Sequence, residues 1–273
     1  MVRRERLPAV AALAVPVLAG LAWMGASGAP AHYLLVNAGA LVLAAAWIVF
    51  GRGPHTAASR HILAAALIVI MLVPLRIGPE ALSTTGDRVV RWFPLGGDLA
   101  VHTGMLVTPA LVVLAARNRA LAAPLLLAGV FAALLQPDAG TGFALTFAAV
   151  GLHHVTRDWK VGVTALVAFF AAILMALAGQ LPPAPFVENV LQDAAQASWI
   201  AVALLAGSLI ACFALLLTRI PFDTAKRFSL AGLFFGFVVM ALMQPYPTPL
   251  VGYSAAPILG FGLALGLHRI PKR

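Results

Sequence analysis

The chain has 273 residues, of which 62% are hydrophobic and 10% charged, and its formal net charge is +9. A soluble domain carries roughly 25% charged residues, so a chain this poor in charge cannot cover a water-facing surface and needs lipid around it. The one cysteine, Cys212, sits inside an apolar run, which excludes disulfides and Cys-based metal sites.

A spanning helix needs about 20 apolar residues, because the hydrocarbon core is about 30 Å thick. Ten apolar runs follow one another along the chain. The first four cover 8–25, 33–50, 62–75 and 99–116. The fifth and sixth lie on either side of Gln136-Pro137-Asp138. The last four cover 161–178, 198–217, 228–243 and 250–267. The first run follows Arg3, Arg4 and Arg6 and precedes small residues at 25–29, a pattern shared with cleaved leaders. Nine further runs favour a retained helix. Strand-type alternation is absent, so these are not barrel strands. The expected fold is an all-α integral membrane protein, one domain over 1–273, built as a bundle of about ten transmembrane helices.

Positive charge orients such a bundle, because cytoplasmic connections gather Lys and Arg. With the N-terminus inside and ten crossings, the inside segments hold Arg3, Arg4, Arg6, Arg52, Arg60, Arg117, Arg119, Arg157, Lys160, Arg219, Lys226, Arg227, Arg269, Lys272 and Arg273. The outside segments hold Arg76, Arg88 and Arg91, together with Glu80, Asp87, Asp98, Asp138, Glu188 and Asp193. Both termini are then cytoplasmic. The basic residues match anionic lipid. They are spread over separate segments, so they form no nucleic-acid footprint.

Two outside connections are longer than the rest. The first, 76–98, contains Asp87-Arg88-Val89-Val90-Arg91-Trp92-Phe93, whose arginines and Trp92 suit the headgroup layer. If 87–93 is helical, Arg88 and Arg91 share a face, with Asp87 as a competing partner for Arg91. The second, 179–197, carries Glu188 and Asp193 and no basic residue, and 187–195 is expected to form a helical turn or two on the membrane. Between the fifth and sixth runs, Pro137 ends one helix and Asp138 caps the next. An ionisable group near membrane depth is also a functional candidate, and both readings of Asp138 stand. His102 opens the fourth run, and His153 and His154 close the sixth. Neighbouring histidines diverge on a helix, so they make a poor metal pair. No nucleophile triad, nucleotide loop or zinc motif is present.

Four segments, in order, resemble the SEDS family of bacterial cell-shape and cell-division membrane proteins, the FtsW/RodA/SpoVE type. Val90-Arg91-Trp92-Phe93-Pro94-Leu95-Gly96-Gly97 is similar to the family's Arg-Arg-Trp and Leu-Gly-Gly before helix four. Leu134-Leu135-Gln136-Pro137-Asp138-Ala139-Gly140-Thr141 resembles its Leu-Gln-Pro-Asp-(Leu/Phe)-Gly-Thr. Gln180-Leu181-Pro182 stands where the family has Leu-Pro-Glu. Pro247-Thr248-Pro249-Leu250-Val251-Gly252-Tyr253-Ser254-Ala255-Ala256 is similar to its Pro-Leu-Pro-Phe-Val-Ser-Tyr-Gly-Gly-Ser.

The resemblance implies a peptidoglycan glycosyltransferase of the bacterial inner membrane, without a cofactor or metal. It would polymerise a lipid-linked disaccharide-peptide precursor beside a class B penicillin-binding transpeptidase. Under that reading Arg88, Arg91 and Trp92, with Gln136, Asp138 and Thr141, bind substrate, and Glu188 or Asp193 serves as the base. The family also has a long outer loop with a catalytic aspartate between helices seven and eight. Here about twenty residues make that connection. A non-catalytic SEDS-like scaffold or precursor-binding partner, and a transporter of the lipid-linked precursor, are the alternatives.

Overall fold

A computed structural model describes residues 4–51, 53–96 and 99–269. Arg3, Arg52, Gly97, Asp98, Lys272 and Arg273, which entered the reading above, lie outside the described residues. The described chain folds into helices α1 (Leu7–Ala26), α2 (Ala31–Phe50), α3 (Ala57–Leu72), α4 (Pro74–Ile77), α5 (Thr103–Arg117), α6 (Arg119–Leu134), α7 (Ala139–Thr156), α8 (Trp159–Ala178), α9 (Val190–Ala197), α10 (Trp199–Thr218), α11 (Thr224–Met243) and α12 (Ala255–Gly266). Two antiparallel hairpins stand between α4 and α5: β1 (Ala81–Leu82) with β2 (Arg88–Val89), and β3 (Trp92–Gly96) with β4 (Leu99–His102).

Among the described residues, six stretches are long and apolar enough to cross a membrane: α1, α2, α3 run on through α4, α8, α10 and α11. Helices α5, α6 and α12 are apolar but shorter. The outward faces show why lipid is the solvent. Leu35 and Leu43 on α2, Phe170 on α8 and Ile210 on α10 are all more than half exposed, whereas Arg91, His102, Gln136, Asp138 and Thr141 are buried. This is the reverse of the distribution in a water-soluble protein, and it describes a multi-pass membrane protein. α2 shows the pattern on a single helix: its buried residues are Asn37, Ala40, Ala44 and Ile48, one stripe at helical spacing.

Helices α5, α7, α11 and α12 form the interior. α11 lies along α7, and α12 lies between α2 and α5. Small residues permit these crossings. A methyl group added at Gly232 would stand 2.2 Å from the Phe147 carbonyl oxygen, and one at Gly260 would stand 2.3 Å from that of Met105. Interior helices also carry threonines, and Thr108 and Thr146 return their hydroxyl protons to the carbonyls of Gly104 and Gly142, one turn back. α5 and α12, whose residues are mostly buried, do not need the apolar girdle of a lipid-facing span.

The helix boundaries differ from the sequence reading where local chemistry intervenes. α3 starts five residues earlier than expected, because Thr56 and Ser59 form a reciprocal capping box. The fourth expected helix starts at Thr103, because 99–102 pairs with β3 and His102 becomes its cap. The last expected helix starts at Ala255; the five residues before it form an irregular segment pinned to Asn37 on α2, which donates to Gly252 O at 2.9 Å and accepts from Ser254 N at 3.2 Å. The short helix expected at 187–195 forms as α9, displaced toward 197 because Asn189 at its entry is left-handed, with φ of 58°.

Connections gather at two ends. Arg6 donates to Ile48 O and Trp47 donates to Leu263 O, so the start of α1 and the finish of α12 share the end where α2 finishes. The opposite end carries both hairpins, the turn at 135–138, and the segments 179–189 and 244–254.

Candidate functional site

Asp138 lies at this second end, between α6 and α7. It caps α7, its Oδ1 accepting from Thr141 N at 3.2 Å. The same oxygen accepts from the Tyr246 hydroxyl at 2.8 Å and stands 3.8 Å from the Arg91 guanidinium. Arg91 also donates to Gly179 O at 2.6 Å, and its guanidinium lies between the rings of Trp92 and Tyr246. His102 completes the cluster. Its Nδ1 accepts from Met105 N at 3.3 Å, so a neutral ring carries its proton on Nε2. Nε2 faces the Tyr246 oxygen at 3.0 Å and Asp138 Oδ2 at 3.7 Å. A directed chain results, in which His102 donates to Tyr246 and Tyr246 donates to Asp138.

The electrostatics agree with that direction. Burial outweighs the attraction of Asp138 and pushes the His102 imidazole down to about 4, so it is neutral at neutral pH. Burial pushes the Asp138 carboxyl up, but His102, Arg91 and the bonds from Thr141 and Tyr246 together hold it below its usual value. Burial and the facing carboxylate raise Tyr246 well above an ordinary phenol, which keeps it a donor. Close packing encloses the cluster. A methyl group on Gly140 would stand 2.0 Å from the Tyr246 ring, and one on Gly104 would stand 2.0 Å from Thr141 Oγ1. Asp138 Oδ2 and Gln136 Oε1 are buried without a hydrogen-bond partner, two acceptors at the turn. Gln136 meanwhile donates to the carbonyl of Met71, which ties the turn to α3.

The two arginines do not share a helix face, which corrects the helical reading of 87–93. Those residues build β2 and the start of β3, because the segment folds back as hairpins. Arg88 is exposed and pairs with Glu80, while Arg91 is buried on Asp138. Asp87 is not the partner of Arg91 either; it accepts from Thr85 at 2.7 Å. Trp92 is half-buried, edge-on to His102. Of the two candidate bases, Asp193 is exposed on the first turn of α9. Glu188 is half-buried, and its Oε2 accepts from Ala184 N at 2.8 Å. Burial raises its carboxyl above the ordinary value. Two backbone bonds hold the strand of chain around it, Thr248 N to Val187 O at 2.9 Å and Tyr253 N to Phe186 O at 2.7 Å.

Sequence reading did not find Tyr246, which joins two residues from distant segments, or the aromatic group at the same end. In that group Tyr33 stacks on Tyr253 at 3.7 Å, with His32 and Phe186 edge-on beside them. Tyr246 lies one residue before the fourth SEDS-like segment and Tyr253 lies within it, but the motif does not show what either ring touches. His102 was visible as a lone histidine, but its partners were not.

Four segments separated in sequence therefore meet at one end, and the whole chain can be compared with known proteins on that basis. The crystal structure of the rod shape determining protein RodA of Thermus thermophilus superposes with a TM-score of 0.66 at 22% identity, covering 96% of this chain and 95% of that one. An aspartate-to-alanine variant of the same protein superposes with the same score and identity, covering 96% of each chain. This chain has the RodA fold. No family model and no curated relative matches its sequence. The likeness runs over nearly the whole length of both chains.

Proposed function

We propose that this chain is a SEDS protein of the bacterial inner membrane that serves peptidoglycan synthesis at the outer end of its bundle, polymerising a lipid-linked disaccharide-peptide precursor. The observation that carries this reading is the joining of the four SEDS-like segments, or their immediate neighbours, through Arg91, Asp138, Gly179 and Tyr246 within a full-length RodA fold. The division of labour follows from burial. Asp138 and Arg91 are enclosed and act as positioning groups. Glu188 is the carboxylate left at the edge of the site with a raised proton affinity, which suits a general base for the attacking sugar hydroxyl. Arg88 is the exposed cation for the diphosphate, because a guanidinium fork fits phosphate oxygens. The stacked Tyr33 and Tyr253 offer a flat ring surface beside Phe186, two residues before Glu188.

A second reading is favoured by two observations: the brevity of the 179–198 connection and the full enclosure of Asp138. In it the protein binds the precursor and supports a penicillin-binding transpeptidase without forming glycosidic bonds. Purified protein incubated with lipid-linked precursor, alone and with a class B transpeptidase, separates the two. Glycan strands from wild type, and their loss in Glu188→Gln, are expected. Saturable binding of precursor without any strands would establish the second reading.

A further inference from the structure

The opposite end of the bundle holds a cavity of 680 Å³ that the outer site does not involve. It lies where α5 and α7 finish and where α3, α6 and α11 begin. α5 is fifteen residues long, so the cavity is about 22 Å from the Asp138 cluster. Its polar wall carries Arg60, Arg117, Arg119, Lys226 and His61, against the single carboxylate of Asp223. Lys226 is bonded to that carboxylate, so the acid is already neutralised in place. Three helix N-termini reach the rim through Ala57, Arg119 and Thr224, each adding partial positive charge. The remaining wall is apolar, with Ala64, Leu114, Leu121 and Leu125. The neighbouring outward faces of α3 and α6 expose Ile62 and Leu127, as lipid-facing helices do.

We infer that this cavity binds a phosphate-bearing anion, seated as the headgroup of a membrane lipid. With Lys226 and Asp223 offsetting each other, the three arginines, drawn from α3, α5 and α6 into one hollow, give the site a sign. The apolar wall beside them gives the anion an apolar stem, which favours a lipid headgroup over a free ion. Arginines gathered at membrane-headgroup depth attract anionic lipid. Here α3, α5 and α6 bring three of them to the rim of one hollow.

The test uses the full chain in detergent and native mass spectrometry, with dioleoyl-phosphatidylglycerol, dioleoyl-phosphatidylcholine and inorganic phosphate as probes. Wild type should retain one phosphatidylglycerol in preference to phosphatidylcholine. Arg60→Gln with Arg119→Gln should weaken that retention about tenfold or more. Lys160→Gln with Arg219→Gln removes the same charge from the same end outside the cavity and should leave retention nearly unchanged. Arg60→Lys with Arg119→Lys keeps the charge and should retain most of the binding, which guards against loss by misfolding. Displacement of the lipid by millimolar phosphate would support the site with a free anion as an alternative occupant. Resistance to phosphate would support the headgroup with its stem. Equal losses in the two glutamine pairs, or no preference for phosphatidylglycerol in wild type, would overturn the inference.

Discussion

Tyr246 donates its hydroxyl proton to Asp138 at 2.8 Å, joining the segment after α11 to the cap of α7 across 108 positions of sequence. The bond makes Asp138 more than a cap. A capping oxygen is replaceable by any acceptor of similar shape, and loss of a cap costs about 1 kcal/mol. A carboxylate that also faces a buried guanidinium is not replaceable in that way, because removing it leaves Arg91 charged, buried and without its counter-ion.

The first prediction follows from that difference. Asp138→Asn preserves acceptors for Thr141 N and Tyr246 but removes the charge opposite Arg91. It should lower stability almost as far as Asp138→Ala, by about 3 kcal/mol or more, the scale for breaking a buried pair. Arg91→Met combined with Asp138→Asn should recover part of the loss, since the orphaned charge is gone. Thermal unfolding of wild type, Asp138→Asn, Arg91→Met and the double variant in one detergent closes the cycle, with Asp138→Ala measured beside them. An Asn variant as stable as wild type would reduce Asp138 to a helix cap.

The second concerns pH. His102 is held neutral when folded, with its value pushed down to about 4, whereas an unfolded histidine titrates near 6.5. Between those values the unfolded chain binds the extra proton, so stability rises with pH through this window and falls on acidification from about 6.5 toward 4. Above the window the contribution is fully present. His102→Gln should flatten the dependence while losing some stability at neutral pH. Unfolding midpoints measured at intervals across the window check this. Identical slopes for wild type and variant would remove His102 from the account.

How far the sequence disclosed these features depended on the range of the interactions. Apolar runs are local, so the helices from α1 to α12 that pack as long elements were legible from residues a few positions apart. Asp138 as a cap was legible for the same reason, since its partner is Thr141. The hairpins at 81–102 were not, because Asp87-Arg88 and Arg91-Trp92 satisfy a helical pattern as well as a strand one over so short a span. What decided the matter was the burial of Arg91 on Asp138 and Gly179, residues more than forty positions away. Tyr246 was invisible for the same reason. The motif resemblance located the neighbourhood, yet it could not separate exposed Arg88 from buried Arg91, which differ in environment and not in type.

Orientation is the third prediction. Arg119 and Lys160 belong to the arginine-rich end, and Arg88 and Asp193 to the other; all four are exposed. The positive-inside rule places the first pair in the cytoplasm. Single cysteines at these positions, in a Cys212→Ser background, should react with an impermeant thiol reagent on intact spheroplasts at 88 and 193 only. Positions 119 and 160 should react after permeabilisation. The reverse pattern would invert the bundle in the membrane, and with it the outward placing of Glu188.

The last prediction separates the two arginines that the sequence grouped together. Arg91 is buried, bonded to Gly179 O and set against Asp138, so Arg91→Ala removes a counter-ion and an inter-segment tie at once. It should reduce the amount of folded, inserted protein, with any loss of precursor binding following from that. Arg88 is exposed and paired with Glu80 at the surface, where an ion pair is worth about 1 kcal/mol or less. Arg88→Ala should therefore leave folding intact. If Arg88 grips the diphosphate of a lipid-linked precursor, the same substitution weakens binding, and Arg88→Lys restores only part of it, because an ammonium lacks the two-pronged fork. Glu80→Gln sharpens the comparison: it releases Arg88 from its surface partner and should strengthen binding slightly, whereas a purely structural pair would show a change in unfolding temperature and none in affinity. Affinity for the precursor and unfolding temperature, measured on wild type and the four variants, give the answer. Unchanged affinity in Arg88→Ala would leave that arginine as an anchor in the headgroup layer and move the search for the phosphate-binding cation away from the hairpins.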